Sequence, residues 1–114
     1  MRIKSLKEPV SATAVYNKGA CHIMYGKVRI SAAPAESFSF SSEASWPQES
    51  YENAVRRGIT DGLAEAGIGT EFGAKFVLEE IEWHEVNSCE LGYWEAAKQA
   101  TQEILRMAGV GNIR

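Results

Sequence analysis

Two cysteines and two histidines are the residues of this sequence whose chemistry suits a metal site: Cys21, His22, His84 and Cys89. Structural zinc sites in small domains draw their ligands from close pairs such as Cys-x-x-Cys and His-x3-His. Neither spacing occurs here. The sequence therefore favours unrelated core and loop positions for these side chains, and we expect no metal and no other cofactor.

A sharper enzymatic hypothesis pairs Cys89 as a nucleophile with His84 as its base, because a helix N-terminus favours the reactive thiolate. The competing interpretation is that Cys89 is a small residue beside a helix cap, and the sequence favours this second interpretation. We therefore expect a protein that is not an enzyme.

The glycine spacing excludes a nucleotide site. A P-loop needs a glycine, four residues, and then Gly-Lys-Ser/Thr, so that backbone N–H groups and the lysine hold the phosphates. The pair Gly26-Lys27 is followed by valine and has no glycine at the required distance before it. The stretch from Gly67 to Gly69 lacks the third glycine of a dinucleotide loop, and is typical of a helix cap and turn.

Charge is distributed unevenly along the chain, although the net charge is only −3. Residues 1–30 carry six lysines and arginines against one glutamate, and residues 71–95 carry seven glutamates against one lysine. Lys27 and Arg29, with Lys18 nearby, are predicted to form a basic strip on the solvent side of a sheet. The alternative is an ordinary solvated face. Because the whole chain is acidic, any nucleic-acid contact should be local.

The length of 114 residues and the hydrophobic content of 45% are those of one compact domain. No apolar run approaches the roughly 20 residues of a membrane span, and the basic start lacks the apolar run of a signal peptide. With two cysteines in such a chain we expect reduced thiols and no disulfide. The predicted location is cytoplasmic.

Three stretches in the first half alternate between apolar and polar residues with the two-residue period of half-buried strands. They are residues 10–17, 22–33 and 37–41, the last with Phe38 and Phe40 on one face. A short turn between the first two predicts that they are antiparallel neighbours.

A fourth strand is predicted at residues 74–83, with Phe76 and Leu78 towards the core. The other apolar residues of this stretch are predicted on the opposite face or near the strand end: Val77, Ile81 and Trp83.

Two helices are predicted from apolar spacings of three and four residues. The first opens with Pro47 in its first turn and ends at Gly67, which suits a left-handed cap. The second begins with a capping box of Asn87 and Glu90 and ends at Gly109. The predicted buried stripes are Tyr51, Ala54, Val55, Ile59, Leu63 and Ala66 in the first helix, and Leu91, Trp94, Ala97, Thr101, Ile104, Leu105 and Ala108 in the second.

The element order strand, strand, strand, helix, strand, helix predicts the α+β class. Two helices against a mostly antiparallel sheet form a two-layer sandwich.

The stretch Trp83–Leu91, Trp-His-Glu-Val-Asn-Ser-Cys-Glu-Leu, resembles the segment Tyr-His-Asp-Val-Asp-Ser-Ser-Glu-Leu of the fourth domain of elongation factor G. Trp46-Pro47 with the helix after it is similar to the Ile-Pro region of that domain, and Met24–Val28 is similar to its Gln-Tyr-Gly-His-Val strand. The resemblance covers roughly residues 9–108 of a single domain at 1–114. It implies the fold of the second domain of ribosomal protein S5.

In elongation factor G this domain reaches the decoding region of the small ribosomal subunit. The resemblance therefore implies a non-enzymatic binding module in translation, whose partner is the ribosome or structured RNA. It places His84 and its neighbours on one tip loop and the segment before Trp46 on another. The predicted contact residues are Lys18, Lys27, Arg29, Trp46, His84 and Asn87.

The tip differs from the family in charge, because Glu43, Glu82 and Glu85 would repel phosphate unless cations compensate. The alternative prediction is a protein-interaction module that keeps the fold without the ribosome contact. Such a module would pair with a partner protein, or with itself, through the exposed sheet face or an edge strand.

Overall fold

A computed structural model of the protein describes residues 6–18, 24–47, 50–69, 72–83 and 89–109. These residues form the predicted α+β two-layer sandwich, with the elements in the predicted order. The elements are β1 (Val10–Lys18), β2 (Met24–Pro34), β3 (Ser39–Ser42), α1 (Glu52–Glu65), β4 (Ala74–Glu82) and α2 (Glu90–Ala108).

The strands of the described part form one sheet in the order β1-β2-β4-β3. β1 pairs with β2 and β2 pairs with β4 in antiparallel fashion, as predicted for the first pair, whereas β3 runs parallel to β4. Neither helix of the described residues is long and apolar enough to cross a membrane.

The core lies between one face of the sheet and the two helices. Alternate residues of β1, β2 and β4 point into it, and Phe38 and Phe40 both pack against it, as the alternation of that stretch predicts. The largest fully buried side chains are Tyr93, Phe72, Phe76, Ile30, Ile59, Leu63, Leu78, Ile104, Leu105, Val28, Val55 and Thr101.

A β-bulge interrupts the pairing of β2 with β4. The register passes from Arg29 opposite Glu80 to Ile30 opposite Leu78, which leaves Glu79 as an extra residue in β4. Residues beyond the bulge therefore change face. Ile81 now lies opposite the buried Val28 and packs against the core. Of the two placements predicted for Ile81, the one near the strand end therefore holds and the one on the opposite face does not.

Trp83 follows the same shift, since it comes two residues after Ile81. It lies directly after the strand end, which is one of its two predicted placements, and its half-buried side chain packs against the core cluster and not on the opposite face.

The first helix begins later than predicted. Pro47 lies in a bend outside α1, which starts at Glu52 with Tyr51 in the cap position. The cap is weak: Tyr51 supplies no side-chain bond, and the hydroxyl of Ser50 accepts from the N–H of Glu52 at 3.3 Å. At the other end Gly67 has a φ of 78°, and its N–H donates to the carbonyl of Ala64, which matches the predicted glycine cap.

The second helix also begins later than predicted. Cys89 is its N-cap and accepts from the N–H of Gly92 at 3.4 Å, so Glu90 is the first helical residue and cannot complete a capping box. Asn87 lies outside the described residues. Leu91 is 45% exposed, against its predicted burial, and Tyr93 is the buried residue of that turn instead. Gly109 ends the helix in a left-handed conformation with φ 69°, as predicted.

Gly58 lies where the two helices approach each other closely. A Cβ atom at this position would lie 2.4 Å from the carbonyl oxygen of Trp94 and 2.7 Å from the Cβ of Ala97. In an open helix Gly→Ala stabilises by about 1 kcal/mol. Here we expect the opposite sign, because Gly58→Ala forces α1 and α2 apart and destabilises by roughly 1–3 kcal/mol. Urea unfolding followed by circular dichroism measures the change.

The matched control for Gly58→Ala is Ala64→Gly on the exposed side of the same helix. It is expected to cost about 1 kcal/mol from propensity alone. A Gly58→Ala protein more stable than the parent would contradict the close helix approach.

Candidate functional site

The residues predicted to contact a partner fall into two groups. His84 and Asn87 lie outside the described residues, and Lys18 is the last residue of β1, with its side chain outside the description. Lys27, Arg29 and Trp46 lie within the described residues.

The residues considered for metal binding or nucleophilic catalysis are mostly outside the described part, namely Cys21, His22 and His84. Cys89 is a half-buried free thiol. Among the described residues, no group of three or more histidines, cysteines and acids is placed to hold a metal ion. The chemistry of Cys89 that the structure shows is therefore that of a helix cap.

The predicted basic strip lies on the sheet face away from the helices, but its cations are paired. Lys27 Nζ lies 3.9 Å from Glu82 Oε1. Arg29 lies 3.3 Å from a carboxylate oxygen of Glu79 and 3.8 Å from one of Glu80. The bulge brings both of these carboxylates to Arg29. The strip with its partners thus carries two positive and three negative charges, and exposed pairs of this kind contribute about 0–1 kcal/mol each.

Four aromatic rings from four segments meet at one end of the sheet. They are Trp46, Tyr51, Trp83 and Tyr93, hereafter the aromatic end. Trp46 meets Tyr93 edge-on with ring centroids 5.0 Å apart, and Trp83 edge-on at 6.3 Å. Tyr51 stacks on Trp83 at 5.8 Å and on Tyr93 at 5.6 Å. Such pairs contribute roughly 0.5–1.5 kcal/mol beyond their buried area.

Tyr93 is the centre of the aromatic end. Its ring is fully buried, and its hydroxyl donates to the carbonyl oxygen of Glu82 at 2.7 Å, which ties the start of α2 to the end of β4. The indole N–H groups of Trp46 and Trp83 are buried without an acceptor among the described residues. A buried donor without an acceptor lowers the stability of a fold by about 1–3 kcal/mol. The packing of the rings at the aromatic end must offset this loss.

The aromatic end brings together the two segments that the family resemblance assigns to tip loops. Trp46 directly follows the segment that the resemblance assigns to one tip loop, and Trp83 directly precedes His84 of the other. Their contact shows that both segments start from one end of the molecule. Lys27 lies at the same end, opposite Glu82, whereas Arg29 is two residues further along β2.

The burial of Tyr93 could have been predicted from the sequence. Tyr93, Ala97, Ala100 and Ile104 follow one another at spacings of four, three and four residues, which is the stripe of a buried helix face. The predicted stripe is confirmed at Ala97, Thr101, Ile104 and Leu105, and its error lies in the first turn, where Leu91 was predicted to be buried in place of Tyr93.

Comparison with known proteins supports the fold and gives no information on function. No family model and no curated protein matches the chain. Among solved structures, the chain is similar to a protein from Thermus thermophilus with 25% sequence identity and a TM-score of 0.82. The match covers 91% of this chain and 16% of that protein. This chain therefore spans about one sixth of the length of its structural neighbour.

Proposed function

We propose that this chain is a non-enzymatic binding module of the elongation factor G domain IV type, which contacts the ribosome or structured RNA with its aromatic end. The observation that carries the proposal is the contact between Trp46 and Trp83. It joins the bases of the two segments that the resemblance assigns to the tip, so that residues of both can meet one partner. A cytoplasmic location, as predicted from the sequence, is part of this proposal.

The charges around the aromatic end limit how such a contact can work. Lys27 is compensated by Glu82, and Glu43 is exposed nearby in the chain. Phosphate binding would therefore depend on a few local cations, Lys18 and Lys27 foremost, together with hydrogen bonds from His84 and Asn87. A contact with few cations is weak and sensitive to salt.

Co-sedimentation with small ribosomal subunits tests the proposal. Lys18→Ala combined with Lys27→Ala is expected to weaken binding roughly tenfold at low salt, and to reduce the slope of log affinity against log salt by about one unit per lost phosphate contact. The parent protein should co-sediment at low ionic strength and be released as salt rises.

Lys7→Ala combined with Lys75→Ala is the matched control. Both lysines are exposed and lie towards the opposite end of the sheet, since Leu6 bonds to Gly73 and Lys75 pairs with Ala33. This double variant should bind as the parent does. Absence of co-sedimentation at low ionic strength would reject the ribosomal proposal, and equal loss in both double variants would show a non-specific charge effect.

The second candidate function is protein interaction. The ion pairs of Lys27 and Arg29 favour it, because they leave the open sheet face without excess positive charge. The two candidates give different results in a pull-down from nuclease-treated extract. A partner retained after RNA removal supports protein interaction, and a partner lost with the RNA supports the first candidate.

A further inference from the structure

Among the described residues no strand pairs with the outer edge of β1, and this edge lacks the protection that is usual in monomeric sheets. β1 is the outermost strand on its side of the described sheet, and its residues Val10–Asn17 include no charge, no proline and no glycine. Natural proteins usually protect an edge strand with lysine, proline, a bulge or a covering element, because unpaired N–H and C=O groups attract another strand. The opposite edge, β3, has only four residues.

A groove runs along this free edge. It is lined by five consecutive residues of β1, Ser11 to Val15, and on the other side by Gln99, Glu103 and Met107 of α2. Lining by consecutive residues means that the backbone of β1, and not one face of its side chains, borders the groove. Val15 and Met107, two of the large apolar side chains most exposed in the described part, lie on its rim at 48% and 46% exposure.

We propose that the occupant of this groove is β1 of a second copy of the chain, paired antiparallel about a two-fold axis. Unpaired backbone groups along an uncharged edge are matched by an extended, uncharged strand, and β1 is itself such a strand. The pairing joins two sheets into one continuous sheet across the dimer. This inference deepens the protein-interaction candidate and is independent of ribosome binding.

A two-fold axis at Ala14 gives a complementary set of cross-strand neighbours. On the open face Thr13 lies opposite Val15 of the second copy, a pair of β-branched residues that favours strand pairing. On the helix face Ala12 lies opposite the larger Tyr16, so small and large side chains alternate. The remaining pairs are Ser11 with Asn17 and Val10 with Lys18.

No like charges oppose one another within this strand pair, because Lys18 is the one charged residue of β1 and lies opposite Val10. The negative charge that α2 contributes to the side of the groove is also compensated. Glu103 is bonded to Arg106, whose guanidinium lowers the pKa of that carboxyl below its usual range. The groove therefore presents no uncompensated carboxylate from Glu103 to a neutral strand.

Light scattering coupled to size-exclusion chromatography, with analytical ultracentrifugation over about 1–100 µM, tests the proposal. The parent protein is expected to show a concentration-dependent dimer. Thr13→Lys combined with Val15→Lys places lysines opposite one another in both copies, and should raise the dissociation constant at least about tenfold. Both side chains are exposed, so the fold is expected to persist, and circular dichroism with a thermal melt checks this.

Ser39→Lys combined with Ser41→Lys is the matched control, since it adds two lysines at exposed positions of the other edge strand. The dimer should survive it. A parent protein that is monomeric across the whole concentration range would overturn the proposal, as would a dimer that persists in the folded β1 variant or is lost in the β3 variant.

Oxidative crosslinking fixes the register. With Cys21→Ser and Cys89→Ser as background, Thr13→Cys combined with Val15→Cys is expected to form a crosslinked dimer, whereas Thr13→Cys alone is not. A crosslink from Thr13→Cys alone would reject the axis at Ala14. Co-sedimentation of the same β1 variants with small ribosomal subunits separates the dimer proposal from the first candidate function. A protein that dimerises but never binds ribosomes refutes the first candidate function only. A monomer that binds ribosomes refutes only the dimer.

Discussion

Replacing Gly26 with alanine is expected to remove a large part of the stability of the fold. Gly26 in β2 lies directly against the first turn of α2, and a Cβ atom there would lie 2.3 Å from the carbonyl carbon of Gly92 and 2.5 Å from the nitrogen of Tyr93. These are backbone atoms, so no side-chain rotation relieves the overlap. The helix would have to move away from the sheet at the aromatic end, where Tyr93 is packed.

The expected loss for Gly26→Ala is about 3 kcal/mol or more, at the upper end of overpacking effects. Since domains of this size are stable by only about 5–15 kcal/mol, the variant should unfold at much lower urea concentration or fail to accumulate as folded protein. Ser31→Thr is the matched control, because it adds one carbon to the same strand on the open side of the sheet. An unchanged unfolding midpoint for Gly26→Ala would contradict the close packing of β2 on α2.

The sequence predicted those parts of the fold that depend on residues near each other in the chain. Alternation identified β1, β2 and the stretch around β3 with its two phenylalanines, and the glycines after each helix marked their ends. The helix starts were harder to predict, because Tyr51 and Cys89 are unusual cap residues. Pro47 and the Asn-x-x-Glu pattern at Asn87 gave stronger local signals for earlier starts. The bulge at Glu79 has no signal in the sequence, since it depends on which strand β4 pairs with.

The candidate site likewise has features that the local sequence predicts and features that depend on the tertiary fold. Alternation placed Lys27 and Arg29 on the open sheet face, but their pairing with β4 carboxylates depends on the register and the bulge. Likewise, nothing in the sequence around Gly26 indicates its contact with α2, because that contact joins residues distant in the chain. The meeting of Trp46 and Trp83 follows from the fold rather than from either segment alone, which is why only the family resemblance anticipated that the two segments share an end.

Tyr93→Ala is also expected to have a large effect on stability, and it acts at the proposed working end. The substitution removes a fully buried ring that contacts Trp46, Tyr51 and Trp83, and should cost about 3–5 kcal/mol. Tyr93→Phe keeps the ring and loses only the bond to the Glu82 carbonyl, so about 1 kcal/mol is expected.

Urea unfolding and tryptophan fluorescence distinguish the two Tyr93 variants. Because both Trp46 and Trp83 pack against this ring, the emission of the folded Tyr93→Ala protein should shift towards that of solvated indole, whereas Tyr93→Phe should keep the emission of the parent.

If the two segments act as one contact surface, folded Tyr93→Ala should also co-sediment less with small subunits, since the rings that hold the segments together have lost their centre. Equal stabilities for the two variants would show that Tyr93 holds the aromatic end through its hydroxyl alone, and full ribosome binding by a folded Tyr93→Ala protein would show that the partner is met elsewhere.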